Sequence, residues 1–412
     1  MNSNLMGSNP FAAMSAPIEH PAEVPAARRT TRVQGSLIRE ILKATMRPGM
    51  ISLAGGLPAP QSFPVAALRA AFDAVLSADA EQALQYSTTE GHPPLRAWIA
   101  ARETARGVPT SAEEVLIVSG SQQALDLIGK AMVNEGEPLL VESPTYLGAL
   151  QAFAPFGPAF RTLPTDDSGL LPQAIDAEVT RAARLAYVMP NFQNPTGGTL
   201  SVERRVALAE AARRFDLWLI EDDPYGELWY CAPPPPSLRL HAAERTLRVG
   251  SFSKVLAPGL RLGYVVGPRP AIELLARLKQ ATDLHTATLT QHVVARVLQA
   301  GLLEEQLPRV RQLYSTQAAA MLAALRAHMP AGVRWTEPEG GMFVWLTLEQ
   351  IDTLRLLDRA LAAGVAFVPG APFYAADPRH DTLRLSFVTV PAETIDRGVA
   401  ILARLIAEEM KR

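Results

Sequence analysis

Residues 246–254 are Thr246-Leu247-Arg248-Val249-Gly250-Ser251-Phe252-Ser253-Lys254, a short apolar run followed by a turn with two hydroxyls and a lysine. Arg261 follows seven residues after the lysine. A lysine amine is a useful nucleophile toward a carbonyl, with which it forms a Schiff base. Hydroxyls and a guanidinium suit a phosphate. A solvated loop is the alternative for such a turn. A carbonyl and a phosphate on one small molecule indicate pyridoxal phosphate, whose aldehyde would condense with Lys254.

The stretch from Glu114 to Gly267 alternates short apolar runs with helical segments. This pattern predicts an α/β fold, a mostly parallel sheet with helices on both faces. The predicted strands are 115–118, 138–141, 185–189, 217–220, 246–250 and 262–267. Ligands of such sheets bind beyond the carboxyl ends of the strands. Polar motifs follow these strands, so we expect a binding site there.

The chain changes character after about residue 300. Helical segments surround a strand at 382–387, in which Arg384 and Ser386 alternate with three apolar residues. We therefore expect a second, smaller α+β domain that closes a cleft. The division that follows is a flexible arm (1–28), a substrate-side segment packing with the small domain (29–58), a large cofactor domain (59–300) and a small C-terminal domain (301–412).

Composition excludes several classes of protein. The 412 residues are 48% hydrophobic and 19% charged, a balance that allows an ample core. The net charge of −2 gives no indication of nucleic acid or an anionic membrane as partner. The single Cys231 excludes an internal disulfide, lacks companions with metal-ligand spacing and suits the cytoplasm. No apolar run approaches the roughly 20 residues that span a bilayer, and residues 1–28 do not resemble a signal peptide.

Two further motifs suit the ring of the cofactor. A carboxylate has to lie beside the pyridine nitrogen to keep the ring protonated. Asp222 stands at a strand end, and Tyr225 follows it with a phenol that could reach the ring oxygen. Asn194, in the Asn-Pro-Thr-Gly turn, could donate to the same oxygen and lower the pKa of the Schiff base. Each motif alone is also typical of an ordinary turn.

A third motif suits the phosphate. Ser119-Gly120-Ser121-Gln122 opens a helix after a strand, where Gly120 allows close approach and the helix offers free N–H groups. Ser121 could also be a plain helix cap. Ser251, Ser253 and Arg261 would complete the phosphate site. Tyr146 could stack on the ring, although an isolated aromatic after a strand is more often a core residue.

Together these motifs resemble the fold type I, class I aminotransferases that depend on pyridoxal phosphate. The chain is most like the subgroup acting on 2-aminoadipate, kynurenine, aromatic or branched-chain amino acids. The resemblance covers roughly residues 30 to 405. It rests on the motifs at 51–58, 84–87, 119–123, 194–197, 221–225, 250–254, 259–261, 340–343 and 383–386. It implies a large domain with a mostly parallel seven-stranded sheet, plus a smaller α+β domain.

The resemblance also implies a role for each site residue. Lys254 would hold the cofactor aldehyde and carry the proton, Asp222 would pair with the ring nitrogen, and Asn194 and Tyr225 with the ring oxygen. Tyr146 would stack, and the phosphate would be held by Ser121, Gln122, Ser251, Ser253 and Arg261. Arg384, with Asn194 and Gly56, would bind the substrate. Tyr86 would reach the phosphate of the neighbouring subunit, which implies a homodimer with shared active sites, and Arg39 would lie near the substrate side chain.

The expected reaction is a two-stage transfer of an amino group from an L-amino acid to a 2-oxo acid such as 2-oxoglutarate. A lyase on the same fold is one alternative. The effector domain of a transcription regulator is another, although the chain lacks a basic patch and has only a short arm before Arg39. Thr88 and Gly226 depart from the subgroup pattern, and Gly226 leaves the amino donor open. Arg39 could pair with an acidic side chain or turn away and leave an apolar pocket.

Overall fold

The computed structural model describes residues 25–33, 35, 37–45, 47–166 and 168–412, with the backbone alone for residues 38 and 39. Most of the predicted arm and the Arg39 side chain therefore lie outside the described residues. The helices are α1 (Leu37–Ala44), α2 (Val65–Ala78), α3 (Ala80–Leu84), α4 (Pro93–Ala105), α5 (Ser121–Met132), α6 (Leu147–Phe153), α7 (Val202–Arg214), α8 (Arg239–Ala242), α9 (Arg269–Asp283), α10 (Thr288–Gln299), α11 (Leu302–His328), α12 (Thr353–Ala362) and α13 (Ala392–Glu409). The strands are β1 (Ile51–Ser52), β2 (Val115–Val118), β3 (Pro138–Glu142), β4 (Ala159–Leu163), β5 (Thr165–Asp166), β6 (Gly169–Leu170), β7 (Leu185–Val188), β8 (Trp218–Asp223), β9 (Thr246–Ser251), β10 (Gly263–Val266), β11 (Val333–Trp335), β12 (Phe343–Leu348), β13 (Val365–Ala366), β14 (Val368–Pro369) and β15 (Thr382–Ser386).

The larger sheet has seven strands in the order β2-β10-β9-β8-β7-β3-β4. Only β10 runs antiparallel to its neighbours, β2 and β9, within this sheet. The predicted seven-stranded, mostly parallel sheet is therefore confirmed. Strand β8 is longer than predicted, because its ladder with β9 continues to Asp223. Asp222 is thus the penultimate residue of a strand, and lies inside the sheet instead of in the turn after it.

Strands β2 and β7 of this sheet are apolar because both of their faces are buried. Alternate residues of one strand enter different cores, since side chains alternate across a strand. Leu185 and Tyr187 of β7 pack into the larger core, whereas Ala186 and Val188 pack into the smaller one. Ile220, the register partner of Tyr187 on β8, belongs to the larger core as well. Tyr187 and Asp222 therefore lie on the same face of neighbouring strands.

The second sheet is antiparallel and has the order β11-β12-β15-β14. Every residue of β15 is buried, including Arg384, which is only 2% exposed. The N-terminal segment lies beside this sheet, because Ser386 N of β15 donates to Leu53 O at 2.8 Å. Strand β1 of the same segment pairs in parallel with β13, and these two strands form a separate sheet. The N-terminal segment and the second sheet therefore meet beside Arg384. The boundaries of the domains stay predictions.

No helix within the described ranges is both long and apolar enough to cross a membrane.

Candidate active site

The predicted site residues meet in one cavity at the carboxyl edge of the larger sheet. The cavity encloses about 330 Å³. Its lining includes Gly56, Ser121, Gln122, Tyr146, Asn194, Asp222, Tyr225, Ser251, Ser253, Lys254, Arg261 and Arg384. A larger groove of about 620 Å³ lies beside Trp335 and Trp345 and is lined by none of these residues. Chemistry, and not size, therefore identifies the smaller cavity as the candidate site.

Lys254 places a buried amine in the cavity. It follows β9, and its Nζ donates to Gly56 O at 2.8 Å. Burial, reinforced by the positive charges of Arg384 and Arg261, lowers the pKa of the Lys254 amine to about 8. A substantial fraction of the amine is therefore neutral near physiological pH, and only the neutral form attacks a carbonyl.

Asp222 lines the cavity, and only one of its two carboxylate oxygens is hydrogen-bonded within the described residues. The residue is 2% exposed, and its Oδ2 accepts a hydrogen bond of 2.7 Å from the Tyr187 hydroxyl. Its Oδ1 is buried and has no hydrogen-bond partner among the described residues. Burial raises the pKa of Asp222 to about 7, and the bond from Tyr187 opposes that shift. A buried acceptor without a partner is unfavourable, and the protonated nitrogen of a pyridine ring would satisfy it.

The turn before α5 is shaped around Arg261. Gly120 has a φ of +90°, and a Cβ at this position would lie 2.6 Å from Arg261 Nη2. Arg261 donates to Ser119 O at 3.3 Å and itself has a φ of +51°. Ser121 begins α5 directly after this turn, where N–H groups of the helix are free. The helix N-terminus, the guanidinium and the hydroxyl of Ser253 thus form a site of donors that fits a phosphate.

Arg384 is a buried cation with unused donor capacity. Its Nη1 donates to Asn194 Oδ1 at 2.7 Å and its Nη2 to Ala54 O at 2.9 Å. Its Nε has no partner among the described residues. The guanidinium lies 4.1 Å from the ring centroid of Phe343 and 5.1 Å from that of Phe373. Burial lowers its pKa to about 10, so the group stays charged at neutral pH and suits a carboxylate.

Two tyrosines complete the polar lining. Tyr146 precedes α6, and Gly148 leaves room for its ring, since a Cβ there would lie 2.4 Å from the phenol. Burial, with the charge of Asp222 as a smaller cause, raises the pKa of Tyr146 to about 12. Burial also raises the pKa of Tyr225, whose ring packs edge-on against Phe343 at 5.9 Å. Both phenols therefore remain neutral donors.

Of the predicted site residues whose side chains the structure describes, Tyr86 does not line the cavity. Tyr86 is 77% exposed and is absent from the cavity lining. Its ring packs instead against the ring of His285, with the two centroids 5.7 Å apart. The Arg39 side chain lies outside the described residues. Sequence reasoning missed Tyr187 and the apolar lining residues Leu42 and Leu57. A hydroxyl within the apolar run 185–188 was the available signal for Tyr187, whereas an isolated leucine carries none.

Comparisons with known proteins identify the family of the chain. The family model "Aminotransferase class I and II" matches residues 49–402. A 2-aminoadipate transaminase of Thermus thermophilus is 45% identical over 381 residues, covering 91% of this chain and 94% of that protein. An aromatic-amino-acid aminotransferase of Thermococcus litoralis is 43% identical over 389 residues, covering 92% and 93%. The solved α-aminoadipate aminotransferase of Thermus thermophilus, complexed with N-(5'-phosphopyridoxyl)-L-leucine, is 42% identical with a TM-score of 0.87, covering 94% and 98%.

Proposed function

Since the chain belongs to the class I and II aminotransferases, we propose that it transfers the amino group of apolar and aromatic L-amino acids to a 2-oxo acid such as 2-oxoglutarate. The proposal rests on one observation: the Lys254 amine, the Asp222 carboxylate with its unpartnered oxygen and the buried Arg384 line the same cavity. The predictions of fold type I, of pyridoxal phosphate as cofactor and of aminotransferase activity are confirmed.

The residues of the cavity fit the cofactor. When bound, pyridoxal phosphate supplies a carbonyl for the amine and a protonated ring that delocalises negative charge. We assign the carbonyl to Lys254 and the ring nitrogen to Asp222 Oδ1, which otherwise lacks a partner. Asn194 and Tyr225 are assigned to the ring oxygen and Tyr146 to the ring face. Ser121, Gln122, Ser251, Ser253 and Arg261 are assigned to the phosphate.

Lys254 is also the proposed base. Its lowered pKa of about 8 lets the amine accept and return a proton near neutral pH. Arg384 would orient the substrate by its α-carboxylate, and the Asn194 amide and Gly56 lie beside the same position. Because donor and acceptor would use one set of residues in turn, ping-pong kinetics are part of the proposal.

The substrate class is inferred from the cavity wall. Leu42 and Leu57 line the cavity together with the site residues, and Leu57 is 55% exposed. Aliphatic walls favour aliphatic and aromatic side chains over acidic ones, because they offer a carboxylate no hydrogen-bond donor. The relative solved with a phosphopyridoxyl-leucine complex supports the same inference. Acidic donors such as 2-aminoadipate, paired with Arg39, are the second candidate.

A panel of amino donors with 2-oxoglutarate tests the substrate class. We expect turnover of leucine, methionine and phenylalanine, and about a tenfold lower kcat/KM for leucine in Leu57→Asn. Leu240→Asn is the matched control, because Leu240 is an exposed leucine that does not line the cavity. Activity restricted to glutamate and 2-aminoadipate would contradict the apolar assignment. Release of ammonia without any acceptor would instead favour the lyase alternative.

A homodimer with shared sites is the proposed assembly. Tyr86 is 77% exposed, and Leu84, the last residue of α3, is 68% exposed, so two large side chains close in sequence lie on the surface of the subunit. We assign Tyr86 to the phosphate of the neighbouring subunit. Mixing Lys254→Ala with Tyr86→Ala chains tests this, because one site of each mixed dimer would regain both residues. Absence of restored activity in a mixed dimer would refute the shared site.

A cytoplasmic location belongs to the same proposal. The exposed, unpaired Cys231 supports it, because free thiols persist in reducing compartments.

A further inference from the structure

We propose that Tyr187 is a positioning residue that holds Asp222 Oδ2, so that Oδ1 faces the cavity as the anionic partner of the cofactor ring. The proposal rests on the confirmed cofactor and not on the identity of the amino donor. Tyr187 itself does not line the cavity, and it would act only through Asp222.

The sheet dictates the contact between these two residues. In the ladder between β7 and β8, Tyr187 pairs with Ile220 and Val188 with Glu221. Asp222 is therefore the diagonal neighbour of Tyr187 on the same face, within reach of a long side chain. The Tyr187 hydroxyl donates to Asp222 Oδ2 at 2.7 Å, and Tyr187 is 0% exposed. The bond is therefore shielded from competing water.

Packing fixes the direction of the tyrosine ring. Phe153 of α6 packs against it edge-on, with ring centroids 6.1 Å apart and planes at 71°. Since Tyr187 is also fully buried, its ring has little room to follow a rotation of the carboxylate. Because Oδ1 has no partner among the described residues, the bond to Oδ2 orients the Asp222 side chain. The free oxygen is thus preorganised for a donor in the cavity.

The same bond also favours the ionised carboxylate. Burial opposes ionisation of Asp222, whereas a hydrogen bond from Tyr187 stabilises the anion. Burial raises the pKa of Tyr187 well above its ordinary value, with the charge of Asp222 as the second cause, so the phenol stays a donor. The other titratable groups facing the pair are Asp223, Tyr146, Tyr225 and Glu142. Within the described part of the chain none of these groups donates a hydrogen bond to Asp222, and the Tyr187 phenol serves this role.

The test is a double-mutant cycle of Tyr187→Phe with Asp222→Ala. In Tyr187→Phe, we expect about a tenfold loss of apoprotein affinity for pyridoxal phosphate, followed by absorbance titration. The acidic limb of the kcat profile should move about one pH unit upward, because the carboxylate ionises less readily. In the Asp222→Ala background, Tyr187→Phe should change neither quantity, since there is no carboxylate left to hold.

Tyr230→Phe is the matched control. It removes one tyrosine hydroxyl bond of 2.9 Å, to Gly341 O, at a residue that does not line the cavity. Its cofactor affinity and pH profile should equal those of the wild type. The proposal is overturned if Tyr187→Phe behaves like this control, or if its loss persists undiminished in the Asp222→Ala background. Failure of Tyr187→Phe to fold even in that background would likewise overturn it, because the hydroxyl would then be structural.

Discussion

Replacing Arg384 by lysine should separate recognition of the α-carboxylate from the rest of the site. Arg384 Nε has no hydrogen-bond partner among the described residues, and its two Nη groups donate hydrogen bonds of 2.7 and 2.9 Å to Asn194 Oδ1 and Ala54 O. A guanidinium can bind a carboxylate with two parallel donors, whereas an ammonium is a point charge. One lost charge-assisted hydrogen bond is worth about 1.5–3 kcal/mol. We therefore expect kcat/KM for an L-amino acid to fall roughly 10- to 150-fold in Arg384→Lys.

The assay is the single-turnover reaction of the holoenzyme with leucine, followed by absorbance of the bound cofactor. The corresponding primary amine, which lacks the α-carboxylate, should react equally slowly with the wild type and with Arg384→Lys. Arg379→Lys is the control, because Arg379 is a half-exposed residue paired with Asp381 and such surface pairs contribute little. The assigned role would be refuted if kcat/KM of Arg384→Lys for leucine stayed within twofold of the wild-type value. It would also be refuted if the substitution slowed the reaction of the amine by the same factor.

Two further changes test the phosphate site and a buried acid. Gly120→Ala should lower cofactor affinity about tenfold, because its Cβ would meet Arg261 Nη2 at 2.6 Å at a φ of +90°. Gly259→Ala, with nothing within 4 Å, should not change the affinity in the same titration. Burial raises the pKa of Glu142 from 4.5 to about 7, so between these values the folded protein keeps a proton that the unfolded chain has released, and stability falls as pH rises. The unfolding midpoint of Glu142→Gln should therefore rise relative to that of the wild type between pH 4.5 and about pH 7. Glu210→Gln, at an exposed position, is the control.

The sequence was sufficient for the sheet and for most of the cavity. The carboxyl ends of parallel strands meet at one edge, so polar residues after several strands had to converge. Lys254, Asp222, Asn194 and Ser121 line one cavity for this reason. Arg384 could be included only through the family resemblance, because nothing in the sequence of its own strand indicates that Arg384 lies at the cavity beside the larger sheet.

Tyr187 shows where the reasoning from sequence failed. The strand that carries it is buried on both faces, so alternation of polar and apolar residues gives no sign of direction. Its partner is identified only by the register of β7 against β8, which the sequence does not specify. The apolar residues Leu42 and Leu57 were missed for a different reason. They reach the cavity through the packing of the N-terminal segment, and single leucines are common throughout the chain.

The most direct test of the central claim is the location of the bound cofactor. The holoenzyme would be reduced with borohydride, digested and mapped by mass spectrometry. We predict that the phosphopyridoxyl group is found on the peptide that contains Lys254, and that Lys254→Ala carries no label. The other lysines of the sequence are Lys43, Lys130, Lys279 and Lys411. A label on one of these in the native holoenzyme, or on no lysine, would contradict the account.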